Sequence, residues 1–341
     1  MTVAWGLLST ARVNRYILEA APKTDRAEVV AVASRTPARA EAYAREHGIE
    51  CAHGSYEGLL EDDAVDAVYV SLPNSLHVEW TLRALDAGKH VLCEKPFSRD
   101  PQATEEVFDR AGERGLVVSE GFMWRHHPQT AKLVELAAED VIGRLRIVRA
   151  AFSFDVASVH GAGDARLDPA LDGGSLMDVG AYCVNAIRLL AGEPERVQAM
   201  QALGPTGVDV TFAATLALPR EVIAHFDAGF VLPRRTALEV VGEQGTVVAD
   251  PWQPRTPAVE LGRRTEHDTV ERELIPVEQA DSYVLELNNV SGAIRGETEL
   301  LLGRADAIGQ ARALEALHRA ATTGAAVDLE PVVTAQPGGA V

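Results

Sequence analysis

Over the first 120 residues, short apolar runs alternate with stretches of helical period, and glycine, proline or small polar residues separate them. The runs Val3–Leu8, Glu28–Ala33, Val65–Leu72, Val91–Glu94 and Leu116–Glu120 read as buried strands. Between them the periodicity predicts a short helix to about Ala21 and a helix from Pro37, with Thr36 as N-cap, to about His47. A third helix runs from its Ser75 cap to a Gly88 stop, and a fourth from Pro101 to about Arg114. Strands alternating with helices predict a doubly wound parallel sheet. The second part reads differently. A helix over Pro128–Ala138 and a strand over Arg144–Phe154 precede an irregular stretch, Asp155–Gly174, and a helix over Ser175–Leu190. From Glu195 the apolar period is two, through Val208–Leu216, Val222–Phe230, Leu238–Val241, Val259–Leu261 and Val270–Ile275. That period predicts a mostly antiparallel, open sheet with one buried face. The basic pair Arg234-Arg235 is expected in a solvated turn, and helices over Ser282–Ile294 and Ala305–Ala321 close the chain. The expected class is therefore α/β, with a dinucleotide-binding type of domain over 1–121, an α/β domain over 122–330, and a loosely held tail over 331–341.

Composition narrows the function. The chain's 341 residues suffice for two cored domains, and 47% hydrophobic with 24% charged residues is usual for a soluble enzyme. A net charge of −18 argues against nucleic acid and anionic membrane as partners, although a local basic pocket remains compatible with it. The start, Met1-Thr2-Val3-Ala4-Trp5-Gly6, lacks the basic region and apolar core of a signal peptide, and no run is long enough to span a bilayer. Cys51, Cys93 and Cys183 are too few and too scattered for a disulfide framework or a zinc site, so no metal is expected. The expectation is a cytoplasmic protein.

Three stretches carry candidate chemistry. The first is Gly88-Lys89-His90-Val91-Leu92-Cys93-Glu94-Lys95-Pro96, a buried strand ending in an acid and a base at the edge where open α/β sheets bind ligands. Lysines are scarce in this chain, so Lys95 at a strand end invites a chemical role, although a surface salt bridge would look the same. The second is the turn after the first strand. Gly6, Leu8 and Ala11 occupy the G-x-G-x-x-G positions of a phosphate loop, so only one glycine remains, with Ser9 and Thr10 as hydroxyl donors. An ordinary strand–helix turn fits equally well. After the second strand come Ser34 and Arg35, with Arg39 one turn on. Where an acid would select NAD, a hydroxyl and guanidinium groups suit a 2′-phosphate, which favours NADP over NAD; the alternative is a solvated arginine at a turn. The third stretch holds Asp178 and Tyr182, four apart and so on one helical face. Asp178 could instead complete a capping box with Ser175, and Tyr182 could be a core tyrosine. Asn74 and His77 follow a strand end where cofactor contacts fall, although His77 could be an exposed helix residue.

Trp5-Gly6-Leu7-Leu8-Ser9-Thr10-Ala11, Ser34-Arg35, Leu72-Pro73-Asn74, Glu94-Lys95-Pro96, Gly121-Phe122-Met123-Trp124-Arg125 and Gly173 to Tyr182 together resemble the Gfo/Idh/MocA oxidoreductases. The similarity is strongest to the branch of dimeric dihydrodiol dehydrogenase and NADP-dependent D-xylose 1-dehydrogenase, whose degenerate glycine loop this chain shares. The resemblance implies a Rossmann domain followed by an α/β domain whose open sheet floors the substrate site and often forms an oligomer interface, here a homodimer or homotetramer. It implies NADP(H), with NAD(H) possible, held by Gly6, Ser9, Thr10, Ala11, Ser34, Arg35, Arg39, Leu72, Asn74, His77, Glu94, Lys95 and Arg166. An exposed loop arginine remains an alternative for Arg166. Catalysis would fall to Tyr182 as acid/base, standing where many relatives have histidine, with Lys95 drawing the phenol toward neutrality and Asp178 orienting lysine or substrate. The expected reaction is hydride transfer between a secondary alcohol and a carbonyl on a sugar, cyclic polyol or dihydrodiol. The alternatives are a ketosugar reductase of a nucleotide-linked deoxysugar pathway and a non-catalytic NADP-binding regulator.

Overall fold

The computed structural model describes residues 2–138, 141–252 and 258–330. Its first sheet contains β1 (Val3–Leu7), β2 (Ala27–Ala33), β3 (Cys51–His53), β4 (Ala67–Val70), β5 (His90–Glu94) and β6 (Val118–Gly121). All pair in parallel in the order β3-β2-β1-β4-β5-β6. Parallel strands covered by helices on both faces must be apolar throughout, and Ala67–Val70 is buried at every residue. The order reverses direction at β1, so a crevice opens outside the carboxyl ends of β1 and β4. Leu8, Ser9, Ser71 and Leu72 stand at its rim.

The second sheet contains β7 (Leu145–Asp155), β8 (Arg196–Leu203), β9 (Asp209–Leu218), β10 (Val222–Gly229), β11 (Val231–Gly242), β12 (Gly245–Ala249), β13 (Ala258–Arg264), β14 (Val270–Pro276) and β15 (Val327–Asp328). The order is β14-β13-β12-β11-β7-β10-β9-β8-β15, antiparallel except where β10 meets β7. One face packs on the helices Ala181–Ala191 and Arg304–Thr323 around Phe212, Leu216, Phe226, Val240 and Ile187. The opposite face carries Met200, Ala213, Thr215, Ala217, Ile223 and His225 into solvent. This is the predicted period-two alternation, and the α/β class is as expected.

Several elements differ from the periodicity. The three-residue β3 and the helix Tyr56–Leu60 are too short to give a period, and β8, β12 and β15 were not distinguished. Leu232-Pro233-Arg234-Arg235 is not a turn: it lies within β11, where an irregularity between Val231 and Arg235 offsets the pairing with β7. The irregular stretch holds a short helix, Val156–His160, and single 3₁₀ turns at Ala165–Leu167 and Pro169–Leu171. The expected tail from Pro331 lies outside the described residues.

Candidate active site

Lys95 follows β5 directly and reaches across to the second half of the chain. Its Nζ donates to Asp178 Oδ1 at 2.6 Å and to the Asp178 main-chain oxygen at 2.9 Å. The same ammonium stands 4.5 Å from the centre of the Tyr182 ring, on its face. The other Asp178 oxygen accepts from Arg166 Nε at 2.9 Å, and Arg166 Nη1 reaches Asp164 at 2.9 Å. Side chains 95 and 178 are only 10% and 14% exposed, so their attraction is weakly screened. Burial opposes the Asp178 charge, but the Lys95 and Arg166 cations outweigh it and hold the carboxyl far below its usual range.

The helix start that presents these groups is not the expected capping box. Ser175 is itself helical and makes no cap, and Leu176–Gly180 forms one wide π turn before the Ala181–Ala191 α-helix. The cap comes from β9: Asp209 Oδ2 accepts from Ser175 Oγ at 2.6 Å and from Leu176 N–H at 2.8 Å. Asp178 is thereby freed from a capping role and faces the two cations. A Cβ on Gly174, which has φ +118°, would lie 2.1 Å from Asp209, so this approach requires glycine.

Tyr182 is 8% exposed, wedged between Phe122 and Phe152 with ring centroids 5.5 Å away on each side. Its hydroxyl lies 3.7 Å from the Met123 sulfur. Burial first, then the carboxylates Glu94, Asp178 and Glu286, push the phenol well above its ordinary value. The expectation that Lys95 draws it toward neutrality is therefore corrected. Among the described residues the ammonium bonds Asp178 and meets only the ring face, leaving the phenol a neutral donor. Tyr283, stacked on Tyr16 at 4.7 Å, is another phenol beside this one, partly buried.

The nucleotide side is built from the β1 turn. Ser9 Oγ accepts the Ala11 N–H at 3.0 Å and pairs with Ser71 Oγ at 2.7 Å. Ser9 and Ala11 therefore shape the turn, and their hydroxyl and amide are already engaged. The amides of Thr10 and Arg12 have no acceptor among the described residues, which suits a phosphate oxygen. Gly6 serves packing, since a Cβ there would lie 2.8 Å from Leu59. Ser34 is buried with its N–H on the His53 carbonyl at 3.0 Å. Arg35 and Arg39 are exposed and have no carboxylate partner among the described residues; Arg39 Nε donates to Thr10 Oγ1 at 2.7 Å. Tyr56, which the sequence reading missed, lies near both guanidinium groups; burial raises its phenol, and the two cations offset that only in part. These residues fit a 2′-phosphorylated dinucleotide.

The remaining candidates hold the scaffold. His77 is fully buried, not exposed, with Nδ1 2.9 Å from the Pro96 oxygen and Nε2 2.8 Å from the Leu72 oxygen. Burial favours the neutral ring, which has one N–H and so donates to one of these two oxygens. Asn74 Nδ2 donates to the Asp172 oxygen at 2.9 Å and ties down the 164–174 segment, where Arg99 also pairs with Asp172. Glu94 accepts the Tyr69 hydroxyl, and burial raises its carboxyl. Glu120 and Glu286 are further buried carboxyls that the sequence reading did not single out. The available signal was an acid inside an otherwise apolar or small-residue run.

Comparison with known proteins agrees with this geometry. Residues 7–122 match the family profile described as "Oxidoreductase family, NAD-binding Rossmann fold", and residues 130–248 match the "GFO/IDH/MocA C-terminal domain". D-xylose 1-dehydrogenase (NADP(+)) 2 of Haloferax volcanii is 38% identical, covering 96% of this chain and 99% of the relative. Trans-1,2-dihydrobenzene-1,2-diol dehydrogenase of Sus scrofa is 34% identical, covering 74% and 76%. A 3-ketoreductase from Actinomadura kijaniata, solved in complex with NADP and TDP-benzene, superposes with a TM-score of 0.86 at 32% identity, covering 94% and 98%.

Proposed function

The chain belongs to the Gfo/Idh/MocA oxidoreductases, and from that premise we propose that it interconverts a secondary alcohol and a carbonyl on a sugar, cyclic polyol or dihydrodiol with NADP(H). The observation that carries this reading is Lys95 held by Asp178 beside Tyr182, at the carboxyl edge of the parallel sheet. Arg35 and Arg39, exposed and without a carboxylate partner among the described residues, support NADP over NAD. NADP(H), when bound, supplies or accepts the hydride.

This chain's residues do the rest. In reduction, the neutral Tyr182 phenol gives its proton to the carbonyl oxygen as negative charge develops there. Lys95 stabilises that charge, because its ammonium is already desolvated and oriented before substrate arrives. Asp178 sets the direction of the ammonium, and Arg166 keeps Asp178 ionised. Phe122 and Phe152 keep water from the phenol. Oxidation runs the same proton back to Tyr182. In this reading the cofactor part ends at residue 121 and the substrate part begins at residue 122.

A second reading, a ketosugar reductase for a nucleotide-linked sugar, is favoured by the likeness to the Actinomadura 3-ketoreductase. The non-catalytic alternative is set aside because these relatives are oxidoreductases. One experiment separates the two enzyme readings. NADPH absorbance is followed while free sugars, dihydrodiols and dTDP-linked ketosugars are offered, with dTDP as competitor. Turnover of unlinked substrates that dTDP does not inhibit supports the first reading. Turnover confined to linked sugars supports the second.

A further inference from the structure

The position of Lys95 depends on the segment that carries it, and that segment is held from below by a buried acid. Glu120, the third residue of β6, is 1% exposed, and its Oε1 accepts the Phe97 N–H at 2.7 Å. On the other side of the same turn, the Pro96 oxygen lies 2.9 Å from His77 Nδ1. The Phe97 N–H immediately after Lys95 is thus held by a fully buried carboxyl from the next strand, and the Pro96 oxygen lies against a fully buried imidazole from the preceding helix. Exchange of either partner for water is closed off by burial. Beneath Glu120, the cations Arg188 and Arg125 pair with Glu193 and Asp306, so neither is directed to Glu120 as an ion-pair partner. Its remaining oxygen, Oε2, has no hydrogen-bond partner among the described residues.

We propose that Glu120 is a positioning residue for Lys95: its carboxyl oxygen fixes the Pro96–Phe97 turn and thereby the direction from which the ammonium meets Asp178 and the reacting oxygen. The property used is reach, since one acceptor oxygen at the right distance is all that the Phe97 N–H needs. A negative charge at this place contributes nothing that the turn uses. Displacement of the ammonium by about 1 Å is enough to lower turnover by on the order of a hundredfold. Nucleotide binding, which rests on the β1 turn and Arg35, is untouched. The inference relies on the reading of Lys95 given under the proposed function.

The test crosses reach with the presence of a carboxyl. Glu120→Gln keeps the acceptor at full length and removes the carboxyl; Glu120→Asp keeps a carboxyl and shortens the side chain by one methylene. Each is made in the wild-type and in the Lys95→Met background, and kcat, KM, NADPH affinity and the thermal midpoint are measured. The expected result is Glu120→Gln within about threefold of wild-type kcat. Glu120→Asp should lose roughly tenfold to a hundredfold in kcat with NADPH affinity unchanged, and should cause no further loss once Lys95 is methionine. Equal kcat for the Asp variant and the wild type would overturn the proposal. So would a loss of the same size in the Lys95→Met background, which would mark Glu120 as merely structural. A Gln variant as impaired as the Asp variant would also overturn it, because the carboxyl itself would then be what matters. Failure of the underlying reading looks different: Lys95→Met alone would turn over normally.

Discussion

Asp178 takes one cation on each oxygen, Lys95 from the first half of the chain and Arg166 from its own loop. The neutral form of Tyr182 follows from burial first and then from the nearby carboxylates, while the lysine charge is engaged by Asp178. Tyr182→Phe removes the proton donor and little volume, so NADPH binding should persist while turnover falls by at least about a hundredfold; fluorescence titration alongside steady-state rates checks both. Arg35→Asp places an acid where the 2′-phosphate is expected, and the ratio of kcat/KM for NADP to that for NAD should fall by tenfold or more, roughly one bidentate charge-assisted contact. Glu120 gives a stability signature. Burial lifts its carboxyl to about 8, with Asp306 raising it and the Phe97 N–H, Arg188 and Lys95 lowering it. The folded chain therefore binds a proton that the unfolded chain releases near 4.5, and stability contributed by this group declines as pH rises from about 4.5 to 8. Glu120→Gln should flatten that decline in urea titrations across the window, and an unchanged slope would refute the assignment. At this scale the sequence was a partial guide. Lys95, Asp178 and Tyr182 were legible because strand ends and i, i+4 spacing place side chains directly. The Lys95 contact with the ring face instead of the hydroxyl, and the engagement of His77 and Ser9 by main-chain groups, depend on tertiary neighbours that no spacing encodes.

Among the elements, the π turn at Leu176–Gly180 is the one on which the site depends. It aims Asp178 at Lys95, and its own first amide is capped from β9 by Asp209. Asp209→Ala would leave the Ser175 hydroxyl and the Leu176 N–H unpaired inside the protein, costing about 2 kcal/mol, and should lower turnover as the turn relaxes. Asp209→Asn keeps one acceptor and should recover most of both quantities in denaturant melts and rate assays. If the alanine variant matched wild type, the cap would be irrelevant. The parallel sheet was readable because β1, β2, β4, β5 and β6 are apolar over several residues and end in turn formers. Strand β3, with three residues, has no period to read, and the start of β11 was mistaken for a turn because Pro233 and the arginine pair imitate one, although Leu238–Val241 read as a strand. The capping box was misread for a similar reason: Ser-x-x-Asp has the right spacing, but a carboxylate from a distant strand satisfied the amide first.

At the scale of the whole molecule, the second sheet is covered by helices on one side only. Met200 at 78% and Ile223 at 52% exposure stand on the other face, beside Ala213, Thr215 and Ala217. We propose that a second copy of the chain covers this face, consistent with the general rule that extended apolar surface marks an interface. Ile223→Glu should then lower the mass measured by light scattering to that of one chain, with the cofactor site intact; a wild-type chain that is already monomeric would end the idea. The two halves of each chain are held in register by another feature, the bond between Lys95 and Asp178. Residue 95 leaves the parallel sheet and residue 178 precedes the helix that packs on the second sheet, so the pair crosses the seam between them. A cleft that opened along this seam would have to part the ammonium from the carboxylate first. An open molecule would thus be chemically disarmed and a closed one armed, with no separate sensor needed. The amine would become available to an acylating reagent only in the open form, so the labelling rate of a single lysine would serve as a clock for the seam. Because the pair is buried, that clock should run at nearly the same rate in low and high salt.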